Sequence, residues 1–114
     1  MAEVNIQDKA YEAIELAKKT GKLKKGVNEV TKSVEKNLAK LVVTAKDVNP
    51  PEILMHIGPL CDEKEILFIE VPSKEDLGIA SGLNVPTSCV AIIKEGDAKD
   101  LIDHIKKLKQ NISK

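Results

Sequence analysis

Apolar residues recur along the first part of the chain at the spacing of a helix with one buried side. Ala10, Ala13, Ile14 and Ala17 stand three or four positions apart between Asp8 and Lys19, which gathers them into one stripe on a 3.6-residue helix. Gly21 closes this helix, a short extended piece around Leu23 follows, and Gly26 breaks the chain again. Asn28 then occupies the position of an N-cap before Glu29, Val30, Val34 and Leu38, so a second helix is expected from there to about Asn37.

The pattern changes at Ala39. The run from Ala39 to Ala45 (AKLVVTA) is apolar and β-branched without alternation, which predicts a central strand buried on both faces. Pro50 and Pro51 open a third helix, where a missing N–H is harmless. Its expected buried face is Ile53, Leu54, Ile57, Leu60 and Cys61, with His56 a partly exposed surface residue of the same helix and Gly58-Pro59 as a kink. Ile66 to Val71 (ILFIEV) reads as a second buried strand, Ser73 caps a short helix to about Ala80, and Gly82 ends it. Cys89 to Lys94 (CVAIIK) is a third strand, and a last helix, capped near Asp97, turns Leu101, Ile102, Ile105 and Leu108 inward. Alternating elements with short connections predict one domain over residues 1–114, an α/β fold built as a three-layer α/β/α sandwich on a mixed sheet of about four strands.

Composition narrows the possible functions. No apolar run reaches the roughly 18 to 20 residues of a membrane helix, and the start MAEVNIQDK lacks the order of a signal peptide, so a cytoplasmic protein is expected. Cys61 and Cys89 then read as reduced, buried residues. They share no CxxC spacing and no evident His partner, and His56 and His104 stand apart, so neither a metal site nor a nucleophile is expected, and no cofactor. GKLKKG lacks the GxxxxGK[ST] order of a phosphate loop. With one Tyr, one Phe and no Trp, the chain has no aromatic platform for stacking single-stranded bases. An enzyme is therefore not expected.

Charge matters through its distribution. The formal net charge is zero, yet residues 1–46 hold ten lysines against six acids and residues 47–114 hold eight against twelve, so the halves carry +4 and −4. The first half is the candidate binding face. All 18 basic residues are Lys, so a grip on RNA must use point charges, and sequence readout must come from other side chains.

The segment Lys24-Lys25-Gly26-Val27-Asn28-Glu29-Val30-Thr31-Lys32 places such groups at one helix start. Gly26 permits close approach of a backbone. First-turn amides favour an anion, and Lys24 and Lys25 add attraction. Asn28 can donate and accept at a base edge, whereas Glu29 only accepts, which suits the two donors on the Watson-Crick side of guanine. Lys32 lies one turn on, beside both. An ordinary A-form helix hides such edges, so the matching ligand is a distorted one. Taken alone, an Asn cap followed by a first-turn acid is also what a stable helix start uses.

The run GVNEVTKSVEK resembles the signature of the archaeal ribosomal protein L7Ae family, and AKLVVTAKDVNPPEI, LCDEKEILFIEV, SKEDLG and SCVAIIKEGDA match it in order and spacing. The resemblance spans about Asp8 to Lys109. It implies an α/β/α sandwich that binds kink-turns and kink-loops, in which tandem sheared G·A pairs beside a three-nucleotide bulge bend the RNA. By the same resemblance, Asn28, Glu29 and Lys32 contact the sheared guanines, with Gly26 and Val27 shaping the approach, and Ile53 packs on the nucleotide projecting from the bulge. Lys74 approaches the backbone, and the loop from Leu83 to Val90, through Val85, Pro86, Thr87, Ser88 and Val90, covers the bulge and tunes selectivity. Two positions depart from many relatives: Asn49 stands where some carry an acid, and Val85 where many carry Arg. The expected partners are ribosomal RNA of the large subunit, box C/D and H/ACA guide RNAs with the proteins of those particles, and RNase P RNA, the free protein being monomeric. A protein-protein scaffold with incidental RNA contact, using the apolar third helix and the acidic second half, is the alternative.

Overall fold

The computed structural model describes residues 6–48 and 51–112. Chain order is α1 (Ile6–Thr20), β1 (Lys22–Lys25), α2 (Val27–Glu35), β2 (Leu41–Ala45), a 3-10 turn (Pro51–Leu54), α3 (Ile57–Glu63), β3 (Leu67–Val71), α4 (Lys74–Ala80), β4 (Cys89–Lys94), a second 3-10 turn (Gly96–Ala98) and α5 (Lys99–Ile112). The four strands form one mixed sheet in the order β1-β4-β2-β3. β2 runs parallel to β3, while β4 runs antiparallel to both β1 and β2.

Alternation along the central strands splits the core in two. Leu41, Val43 and Ala45 of β2 and Val90 and Ile92 of β4 face a core that includes Ala10, Ala13, Ile14 and Ala17 of α1, Leu77 of α4 and Ile102 and Ile105 of α5. Val42 of β2 and Cys89 and Ala91 of β4 face the other way, onto Val30 and Val34 of α2 and Ile57 and Cys61 of α3. All five residues of β2 are buried, because helices cover both its faces. The three-layer sandwich expected from the sequence is the fold observed.

Several local expectations are corrected. The third helix is interrupted: a 3-10 turn ends at Leu54 and α3 begins at Ile57. Pro59 explains the break, since a helix continuous through Met55 would need the missing Pro59 N–H and would drive the ring against the Met55 carbonyl. Once the helix splits, Ile53 turns outward and is 41% exposed, while Ile57 and Cys61 stay buried. Leu38, which continues the apolar spacing of Val30 and Val34, is exposed beyond the end of the second helix, because Asn37 turns the chain with φ 58. β3 lies at the sheet edge with Glu70 exposed, so it is not buried on both sides. Asp97 sits within a 3-10 turn and caps no helix with its side chain; its amide donates to Thr20 Oγ1 at 2.8 Å. Pro50 and the side chain of Leu108 lie outside the described residues.

Strand direction sets what the fold can present. β1, β2 and β3 all point one way and β4 the other, so the carboxyl ends of three strands and the amino end of the fourth meet at one end of the sheet. The described segments at that end are the start of α2, residues 46–48 and 51–56, the start of α4 and the loop before β4.

Candidate nucleic-acid interface

Gly26 starts the site. It adopts φ 93 and ψ 156 and is the N-cap of α2, with no side chain capping the helix. Its amide donates to the Cys89 carbonyl at 3.0 Å, and its carbonyl accepts from the Val30 amide at 3.0 Å. The amides of Val27, Asn28 and Glu29 lie ahead of the first intrahelical bond, so they have no acceptor within the helix. Asn28 is therefore not the cap expected from the sequence: it is the second residue of α2, exposed, and its side chain makes no hydrogen bond within the described residues. The physical reason is that Gly26 supplies the turn two residues earlier with a backbone geometry that Asn avoids.

Glu29 follows, exposed, its Oε1 4.0 Å from Lys24 Nζ. Both side chains are about half exposed, so solvent screens the pair and it holds the carboxylate only loosely. Lys25 is exposed at the end of β1, and Lys32 is exposed one turn along α2. An amide, a carboxylate and an ammonium thus share one solvent-facing side of one helix start. Val27 is half-buried against the α2–α3 core, which fixes the backbone beneath them.

The other expected residues reach the same end of the sheet by different routes. Ile53 stands exposed in the connection after β2. Lys74 opens α4 after β3: its amide donates to Asp47 Oδ1 at 2.9 Å, and its carbonyl accepts from the Thr87 amide at 3.2 Å. The loop before β4 rests on α4 so closely that a Cβ added at Gly78 would lie 2.2 Å from the Val85 carbonyl oxygen. Its Ser88 carbonyl accepts from the Ala45 amide at 2.9 Å. Val85 (62% exposed) and Pro86 are the loop's outward surface.

Two loop residues are corrected. Val90 is fully buried in the core with Leu41 and Ile92, because it is the second residue of β4 and alternation turns it inward, so it has no surface to offer a ligand. Thr87 is 8% exposed and its hydroxyl donates to the Cys89 carbonyl at 3.4 Å, which makes it a brace of the loop. Ser88 is half-buried with its hydroxyl on Cys89 Sγ. Burial pushes the Cys89 thiol up to about 11, against a lowering by the Ser88 hydroxyl, so it stays protonated and unreactive near neutral pH. Asn49 lies outside the described residues.

His56, read from the sequence as a surface residue within a helix, stands at the start of α3 with its Nε2 2.9 Å from Thr31 Oγ1 of α2. It lines a concavity of about 370 Å³ with Val27, Asn28, Thr31, Lys32 and Glu35. Thr31 and Glu35 were legible in principle, being three and seven residues after Asn28 and so on its side of the helix. Nothing local to His56 announces that it joins them.

Among the described residues, no group of three or more His, Cys, Asp or Glu is placed to hold a metal ion, and no helix is long and apolar enough to cross a membrane. Comparison with solved structures finds the 15.5 kD RNA-binding protein of Giardia lamblia, similar at a TM-score of 0.84 with 28% identity, over 92% of this chain and 88% of that one. Residues 8–102, most of the chain and all of the site just described, match the Ribosomal protein L7Ae/L30e/S12e/Gadd45 family. The fold, the helix start and this match agree, and the chain belongs to that family.

Proposed function

We propose that this end of the sheet binds kink-turn and kink-loop RNA, with Asn28, Glu29 and Lys32 on the two sheared guanines. One observation carries the reading: Asn28 and Glu29 stand exposed and adjacent in the first turn of α2, and neither is used to cap it. A carboxylate that accepts from the two donors of a guanine edge, beside an amide that can do either, suits a base pair whose Watson-Crick side is open. Lys24, Lys25 and Lys74 supply attraction to the backbone, Ile53 offers an apolar platform for the nucleotide projecting from the bulge, and Val85 and Pro86 face it from the loop. Binding is non-catalytic. The protein selects the bent RNA because it binds that state better than the extended one, and a ligand shifts an equilibrium only by that difference. The same motif in ribosomal RNA of the large subunit, in box C/D and H/ACA guide RNAs and in RNase P RNA would let one cytoplasmic, monomeric protein serve each, handing a fixed geometry to the proteins of those particles.

A gel shift tests this with a kink-turn and the same RNA carrying G·C in place of the sheared pairs. The wild-type protein should prefer the kink-turn strongly. Glu29→Ala should lose roughly 10- to 100-fold in affinity, the scale of one good bidentate base contact, with folding unchanged because the residue is exposed. Equal affinity for the two RNAs would remove the proposal. A protein scaffold with incidental RNA contact would instead keep its assemblies, and its weak RNA affinity, in Glu29→Ala.

A further inference from the structure

We propose that His56 is a further RNA-contact residue, which takes a backbone phosphate next to the guanines read by Asn28, Glu29 and Lys32, the Lys32 ammonium reaching both guanine and phosphate; the inference rests on the kink-turn reading above. His56 belongs to a different element from the other readers, yet its exposed ring is fixed against α2 by the 2.9 Å contact between Nε2 and Thr31 Oγ1. When the Thr31 hydroxyl donates to Nε2, the proton of the neutral ring sits on Nδ1, which is then a donor for a ligand. In that tautomer the ring is a positioned donor and not a loose surface side chain.

Its neighbours define the ligand. His56 lines one concavity of about 370 Å³ with Asn28, Thr31, Lys32 and Glu35, within the range of about 300–1,000 Å³ that holds small ligands. The concavity begins at Asn28 and extends two turns along α2 to Glu35, and in this proposal the strand whose base reaches Asn28 carries its sugar–phosphate across it. Lys32 brings an ammonium and His56 an N–H, and in a chain whose basic residues are all Lys a phosphate must be held by such separate donors, no guanidinium fork being present. Glu35 is the opposing charge in the concavity and repels the same phosphate, which fixes a sign: neutralising it strengthens binding.

The chain has two histidines, and His104 lies on α5, which packs against the opposite face of the sheet. Histidine-selective NMR with the kink-turn RNA therefore carries its own control. On RNA addition, the ring signals of His56 should shift while those of His104 stay in place. His56→Ala should weaken kink-turn binding about five- to tenfold, as expected for one exposed charge-assisted contact, His56→Gln should recover part of the loss, and Glu35→Gln should bind tighter than wild type. Unmoved His56 signals under saturating RNA, wild-type affinity in His56→Ala, or weaker binding by Glu35→Gln would each overturn the assignment. Failure of the kink-turn reading looks different: no preference over the G·C control, whatever residue 56 is.

Discussion

Gly26 carries more of the site than its lack of a side chain suggests. Its φ of 93 and ψ of 156 fall in a region used almost solely by glycine, and this turn lets one residue bond Cys89 on β4 with its amide and Val30 on α2 with its carbonyl. A Cβ at this position would meet no atom within 4 Å, so any penalty is conformational and not a clash. Gly26→Ala is expected to lose about 1–3 kcal/mol of stability in urea unfolding, and its affinity for kink-turn RNA should fall further than the folded fraction does, because the new methyl group enters the open face beside Asn28. A stability change below about 0.5 kcal/mol would mean the turn has another geometry open to it. The residue scale is also where the sequence was most and least informative. Asn28, Glu29 and Lys32 were legible because they are close along the chain and chemically unlike their neighbours. The cap was misplaced by two residues because Asn is the stronger capping residue and Gly26 reads first as a break. His56 was invisible as a partner, since its neighbour Thr31 is 25 positions away.

Elements were legible wherever an apolar run had clear punctuation. Cys89–Lys94 was found with its observed bounds and Ser73 was recognised as a cap, which its hydroxyl performs by accepting from the Asp76 amide at 3.2 Å. The third helix was misread because apolar spacing continues across Met55 and His56 while the backbone cannot, Pro59 forbidding it. Contacts between elements left no trace of this kind. Gly78 inside α4 reads as a weak helix residue, yet it is the place where the loop before β4 touches the helix, a Cβ there falling 2.2 Å from Val85 O and 3.1 Å from its carbonyl carbon. Backbone cannot yield as a flexible side chain does. Gly78→Ala should therefore cost about 1–3 kcal/mol, as overpacking does, and should speed amide exchange at Thr87, whose N–H is held by the Lys74 carbonyl. Unaltered exchange at Thr87 would show that the loop is not seated by Gly78. If the loop covers the bulge, the same variant weakens RNA binding by shifting Val85 and Pro86, without replacing any residue proposed to touch RNA.

At the scale of the whole molecule, zero net charge conceals a directed one. The lysine-rich first half supplies β1 and α2, and strand direction brings its Lys24, Lys25 and Lys32, with Lys74 from the second half, to one end of the sheet, so the proposed RNA would meet four lysines at one end of a neutral protein. With about four phosphate contacts, log Kobs should fall with log salt at a slope near −3, at about 0.7–0.9 per contact. The loop before β4 contributes nothing to that slope, because Val85 is apolar. Val85 is 62% exposed, so an arginine there disturbs no core and its guanidinium can reach a phosphate at the bulge. Val85→Arg should steepen the slope by about 0.7–0.9 and tighten kink-turn binding most at low salt, while its preference over the G·C control stays as it was, since phosphate contacts position and base contacts specify. Titrations of both proteins at several salt concentrations separate the outcomes. An unchanged slope would mean that this loop does not approach the backbone, and a changed preference would mean that residue 85 takes part in choosing the RNA.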